Sequence, residues 1–149
     1  MPAKPVPDGF HTVTPYLTCE RVAEVIEFLK RALAATETDR MVGPDGRVMH
    51  AEVKVGDSIL MMGEPTGEWK PMPCALYVYV TDCDAAYQRA LAAGGTSIAE
   101  PADQFYGDRH GGVRDVAGNL WWIATHQEDM SLQELRRRAE EFAKKRANG

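Results

Sequence analysis

His50 and Glu52 are two residues apart in a stretch of alternating character, Arg47 to Val55 (RVMHAEVKV). On a strand, residues i and i+2 point to the same face. A neutral imidazole beside a carboxylate can pass a proton, so the pair could do acid–base work. It could equally supply two ligands of a metal site completed by His11 or His110. The alternative is that the pair faces solvent with Lys54, because Met49, Ala51, Val53 and Val55 already furnish a core side. The other chemistry-rich stretch is Asp103 to His126, DQFYGDRHGGVRDVAGNLWWIATH. Within it, the Arg109 fork could hold a ligand carboxylate or phosphate, with Tyr106 stacking or donating a hydrogen bond. The competing reading is an Asp108–Arg109 salt bridge that fixes a loop. Asp115 reads as a turn residue bonding its own backbone, and His126 as a structural or capping residue at a strand end. Trp121 and Trp122 must face opposite ways. Tyr77 and Tyr79 share a face and offer rings with hydroxyl handles.

These residues need elements to position them. His11 to Thr18 alternates and reads as a strand, with Pro15 marking an edge or bulge. From Glu20 to Ala34 the period becomes helical: Val22, Val25, Ile26, Leu29 and Leu33 form one stripe. Thr36 to Val42 and Arg47 to Val55 flank a Gly43-Pro44-Asp45-Gly46 turn, and Ser58 to Met62 forms a third arm. Gly63 to Pro73 is a connector. The pattern then restarts with a strand at Cys74 to Val80 and a helix capped by Asp82 and stopped by Gly94-Gly95. Strands follow at Thr96 to Ala99 and Leu120 to Thr125, and between them Phe105 to Arg114 is a glycine-broken strand or loop. KRALAA (30–35) matches QRALAA (88–93) in five of six places at the same point of each half. The repeat argues for two βαβββ modules, spanning 10–64 and 74–126, after a lead-in over 1–9 and before a helical tail over 127–149. Ser131-Leu132-Gln133-Glu134 is a capping box opening that tail helix.

The bulk numbers narrow the function classes. A formal net charge of -5, with Lys/Arg runs only in the tail, argues against nucleic acid. No apolar run approaches the ~18 residues that span a membrane. Three cysteines without a CxxC pair suggest reduced thiols, and the proline-rich N-terminus has no apolar core of a signal peptide. A cytoplasmic protein is expected.

The paired modules, the opening YLTCERVAEVIEFLKRAL and the ending DVAGNLWWIATH resemble the vicinal oxygen chelate superfamily, the group of glyoxalase I, bleomycin-resistance proteins and extradiol dioxygenases. HAEVKVGDSILMMGE and the Asp103–His126 stretch are similar to its PhnB-like branch. The resemblance implies an α+β fold in which paired βαβββ modules form a curved mixed sheet around a cleft. It further implies metal ligands on the first and last strand of each module. Carried over, those positions are Thr14, Met61, Ala75 and Trp122. Ala75 has no donor atom, Met61 offers only a thioether, and Trp122 donates but does not accept. The expectation is therefore no metal and no other cofactor. The cleft would bind a small organic molecule through Thr14, Tyr16, Met61, Tyr77, Tyr79, Tyr106, Arg109 and Trp122, in the sequestering manner of the bleomycin-resistance proteins and, like them, as a homodimer. The alternative is a lyase, isomerase or dioxygenase whose metal site is displaced to His50 and Glu52. A cofactorless acid–base enzyme using the same pair is a third reading.

Overall fold

The computed structural model describes residues 2–149. It contains two four-stranded mixed sheets and three helices, an α+β fold. The first sheet combines β1 (Tyr16–Thr18), β2 (Thr36–Val42), β3 (Val48–Val55) and β4 (Ser58–Gly63) in the order β1-β4-β3-β2. The second combines β5 (Ala75–Tyr79), β6 (Thr96–Asp103), β7 (Asp108–Arg114) and β8 (Leu120–His126) in the order β5-β8-β7-β6. In each, the first strand runs parallel to the last and the remaining pairs are antiparallel. The helices are α1 (Val22–Leu33), α2 (Cys83–Ala92) and α3 (Leu132–Ala147). None is long and apolar enough to cross a membrane.

The first strand is shorter than the sequence suggests. His11 to Thr14 form no ladder; the Thr14 hydroxyl donates to the His11 carbonyl instead. Pro15 has no N–H to give, although its carbonyl accepts from Met61. The extended pairing therefore begins at Tyr16 opposite Met61. Conversely, β6 is longer than expected and reaches Asp103, with its ladder irregular between Ser97 and Ala102.

One face of each sheet is packed and the other is left open. Ala51 and Val53 of β3 are fully buried with Leu17, Val25, Ile26 and Leu29. Trp121, Ile123 and Val113 are buried with Ala86, Tyr87 and Ala90 of α2. Each large aliphatic side chain so buried stabilises by about 1.5–3 kcal/mol. Phe28 of α1 lies 6.4 Å from Trp121, so the two halves share one core. The repeated KRALAA/QRALAA stretch makes the joint between them. Arg31 donates to the carbonyl of Ala92 (3.0 Å), and Arg89 donates to the carbonyl of Ala32 (3.3 Å). Each module's repeat arginine thus binds the end of the other module's helix, where the C-terminal dipole favours a cation.

α1 ends on Ala34 with φ 52°, in the left-handed region, and its N–H bonds the Leu29 carbonyl. A side chain there costs about 1–2 kcal/mol, against a somewhat smaller entropic cost of glycine in the unfolded chain. Ala34→Gly is therefore expected to stabilise the fold by about 0.5–1 kcal/mol. Chemical denaturation would show this as a higher midpoint at constant slope.

α3 is attached lightly and has no fully buried residue. Its Ser131 cap accepts from the Glu134 N–H, as the capping box suggests. Phe142 rests 5.0 Å from Phe105, and Arg138 joins Glu128, Glu134 and the Phe105 carbonyl.

Candidate functional site

Ladder register assembles the site on the open face of the second sheet. Tyr77 pairs with Trp122, which pairs with Gly112. Tyr79 pairs with Ala124, which pairs with His110; His126 pairs with Asp108. Paired residues project to the same side, so β5, β8 and β7 present Tyr77, Tyr79, Trp122, His126, His110 and Asp108 together. Trp121, one residue away, is fully buried on the opposite face.

Asp108 is the hub of this face. It is buried, and its Oδ2 accepts from the hydroxyls of Tyr77 (2.8 Å) and Tyr79 (3.0 Å). Its Oδ1 lies 2.8 Å from His126 Nδ1, while His126 Nε2 lies 2.7 Å from Asp129 Oδ1. Ionised carboxylates only accept, so making both bonds at once requires a proton on each imidazole nitrogen of His126. The hydrogen bonds to Asp108 and Asp129 accordingly raise its pKa above the ordinary value. Burial pushes the Asp108 carboxyl up, but the bonds from His126, Tyr77 and Tyr79 outweigh it, and the group stays below the usual range. Both tyrosines are held protonated: Tyr77 by burial and then Asp108, Tyr79 chiefly by Asp108.

Around this hub the aromatic rings lock one another. Tyr77 meets Tyr79 edge-on at 5.3 Å and His110 at 5.7 Å. His110 meets Trp122 edge-on at 5.2 Å and accepts or donates at Nε2 to the Tyr106 hydroxyl, 2.8 Å away. Burial lowers the His110 pKa, which keeps the ring neutral, and its Nδ1 is buried without a hydrogen-bond partner among the described residues. Gly112 makes room for Trp122. A Cβ there would lie 2.6 Å from Trp122 and 2.6 Å from Ile98. Each tyrosine has spent its proton on Asp108 but keeps oxygen lone pairs. The face is thus a rigid aromatic surface with acceptors at its edge, next to a groove of about 680 Å³ bounded on the first-module side by His11, Val13 and Pro15.

The sequence-derived candidates separate here. Tyr77, Tyr79, Tyr106 and Trp122 come together. Arg109 does not join them: strand alternation sends it to the other face, where it binds Asp84 of α2 and Asp103. Asp108 therefore pairs with His126 and the tyrosines, not with Arg109. Thr14 stands before β1 in a turn. The register puts Tyr16 opposite Met61 and Tyr77 opposite Trp122, while Thr14 precedes β1 and Ala75 pairs with Leu120. His50 and Glu52 lie on the open face of the first sheet, Glu52 paired with Met61. Their side chains are only 25% and 23% exposed, with Nε2 and Oε1 3.5 Å apart, and His50 lies 5.9 Å from the Tyr16 ring. Among the described residues, no group of three or more His, Cys, Asp or Glu side chains is placed to hold a metal ion. The hub of Asp108 with His126 escaped the sequence reading. The repeat was its one available signal: superposing the ladders makes Tyr16 and His50 of the first module equivalent to Tyr77 and His110 of the second.

A family model described as the glyoxalase/bleomycin resistance protein/dioxygenase superfamily matches residues 9–123. The chain belongs to this superfamily. Its curated relatives include the uncharacterized protein Rv0887c of Mycobacterium tuberculosis (strain H37Rv). That protein is 31% identical over 134 residues, covering 83% of this chain and 79% of the relative. Among solved structures of the superfamily fold, TioX from Micromonospora sp. ML1 superposes with a TM-score of 0.67 at 23% identity, covering 78% of this chain and 98% of TioX. A PhnB protein from Bacillus cereus, titled a putative 3-demethylubiquinone-9 3-methyltransferase, gives 0.63 at 16% identity, covering 77% and 99%. These likenesses carry the superfamily fold.

Proposed function

We propose that this protein binds a small, planar organic molecule against the Tyr77–Tyr79–Trp122 surface without a resident metal, as a homodimer in the cytoplasm. The observation that carries the reading is the Asp108 hub, which fixes two tyrosine rings in place at no cost to the ligand. Preorganised aromatic surface lowers the entropy lost on binding. The metal-free reading rests on the donor set: the positions that the superfamily resemblance points to are Thr14, Met61, Ala75 and Trp122, a poor set for a hard or borderline cation. The homodimer reading rests on exposed rings; Tyr16, Tyr77 and Tyr79 are 51%, 42% and 62% exposed, more aromatic surface than an isolated domain usually leaves in water. Cys19, Cys74 and Cys83 are free thiols, as suits a reducing compartment.

A thermal-shift screen of planar organic ligands, run with and without divalent metals, tests this. A hit should raise the melting temperature equally in both conditions. Trp122→Ala should weaken that hit about tenfold or more, the loss of one stacking partner. Metal bound stoichiometrically to purified protein would sink the metal-free reading, and a monomeric mass by light scattering the homodimer.

The contact between His50 and Glu52, shielded on the open face, favours a second reading as an acid–base enzyme. His50→Ala and Glu52→Ala would then each abolish turnover of a bound ligand while leaving its affinity within about tenfold. Turnover surviving both replacements excludes that reading.

A further inference from the structure

The first module carries a concavity of about 390 Å³ that the Tyr77–Trp122 face does not touch. Tyr16, Thr18, Met49, Gly63, Glu64, Thr66 and Trp69 line it. Three local features build it. The β2–β3 ladder slips where Met41 pairs with His50 but Val42 pairs with Val48, leaving Met49 as an extra residue on β3. This bulge turns Met49 outward, 60% exposed, while Val48 takes the core position. A tight turn closed by the Trp69 N–H on the Thr66 carbonyl (2.9 Å), with Gly67 at φ 53°, presents Trp69 at 75% exposure. Gly63 lets the Tyr16 hydroxyl approach the backbone; a Cβ there would lie 2.8 Å from it. The equivalent hydroxyl of Tyr77 is spent on Asp108, whereas the Tyr16 hydroxyl has no hydrogen-bond partner of that kind among the described residues.

One ionised side chain lines the concavity. Glu64 accepts the Val48 N–H at Oε2 (2.6 Å), and its Oε1 has no hydrogen-bond partner among the described residues. Arg47 comes only to 3.9 Å of that oxygen and commits its Nη2 to the Pro65 carbonyl. A carboxylate oxygen beside an indole, a phenol and a thioether suits a cation carried on a flat ring.

We propose that this concavity is a second ligand site, selective for aromatic amines: the ring packs against Trp69 and Met49, and the ammonium binds Glu64. The site is independent of the Tyr77–Trp122 surface. Tryptamine, indole and indole-3-acetate are suitable probes, titrated by calorimetry into the intact protein. Tryptamine should bind at least about tenfold more tightly than indole-3-acetate. Trp69→Ala should weaken tryptamine about tenfold, and Glu64→Gln should erase the preference between the two probes. The proposal is overturned if tryptamine does not bind, if Trp69→Ala binds it as wild type does, or if Glu64→Gln keeps the preference. It is also overturned if Trp69→Ala converts a dimer to monomer with probe affinity unchanged, because Trp69 would then be covered by a second copy.

Discussion

Asp115→Ala is expected to destabilise the fold by about 3–5 kcal/mol, the cost of breaking a buried, charged network. The side chain is buried in the turn between β7 and β8 and every acceptor position is used. Oδ1 takes the N–H groups of Ala117 (2.9 Å) and Asn119 (3.0 Å). Oδ2 takes the Asn119 amide (2.9 Å) and the Trp121 indole N–H (2.9 Å). Asn119 passes the connection on, accepting the Cys74 N–H at the start of β5 (3.2 Å). Removing the carboxylate strands the indole N–H of a fully buried tryptophan, and each buried donor left unpaired costs about 1–3 kcal/mol. Asp115→Asn should not rescue, because its NH2 would face either two backbone N–H groups or two side-chain N–H groups. Ordinary domains are stable by about 5–15 kcal/mol, so the loss takes a large share. Urea denaturation should show the midpoint falling at an unchanged slope, and a melting temperature lower by roughly 10 °C. A change of under about 1 kcal/mol would mean that the turn holds itself without the carboxylate.

That turn also shows what sequence could and could not reveal. Asp115 is readable as a turn residue because Asp, Ala and Gly at 115–118 suit a tight reversal. Its bond to the Trp121 indole is not, since alternation and resemblance turn Trp121 inward without bringing its N–H to Asp115. The superfamily fold was legible in strand alternation, the helical stripe of α1 and the KRALAA/QRALAA repeat. Register was less so. A shift of two residues along a strand preserves which face a side chain occupies, so periodicity alone does not fix which residues of neighbouring strands lie opposite one another. The chemistry of the Asp103–His126 stretch was seen but paired wrongly. Asp108 and Arg109 are neighbours on a continuous strand, so alternation separates them onto opposite faces. The glycines at 107, 111 and 112 left strand and loop equally open for that stretch, which is a strand from Asp108 to Arg114. His126, read as a structural or capping residue at a strand end, bonds Asp108 and Asp129 there.

Asp108→Asn is expected to keep the tyrosine hydroxyls on its one acceptor oxygen and to discharge His126. An amide has one acceptor oxygen where the carboxylate has two. If that oxygen keeps the tyrosine hydroxyls, the NH2 confronts His126 Nδ1, which can face it only as an unprotonated acceptor. NMR titration of the His126 ring should then show its pKa falling from its raised position toward the ordinary 6.5. Wild-type stability has the matching pH profile. The His126 contribution is complete below about pH 6.5 and is lost as pH rises through the elevated folded value. The Asp108 contribution is complete above its ordinary 3.8 and is lost as pH falls through the depressed folded value. The hub is therefore intact between these limits, and Asp108→Asn should flatten both edges. Asp108→Ala should cost about 2 kcal/mol, less than Asp115→Ala, because Tyr77 and Tyr79 are half open to water and can replace their lost bonds. The loss should reach binding as well as folding. With the rings free to turn, a planar ligand must pay to order two side chains, about 0.5–1.5 kcal/mol each, so affinity should fall roughly tenfold in isothermal titration. An unshifted His126 titration together with undiminished affinity would show that Asp108 does not hold this surface.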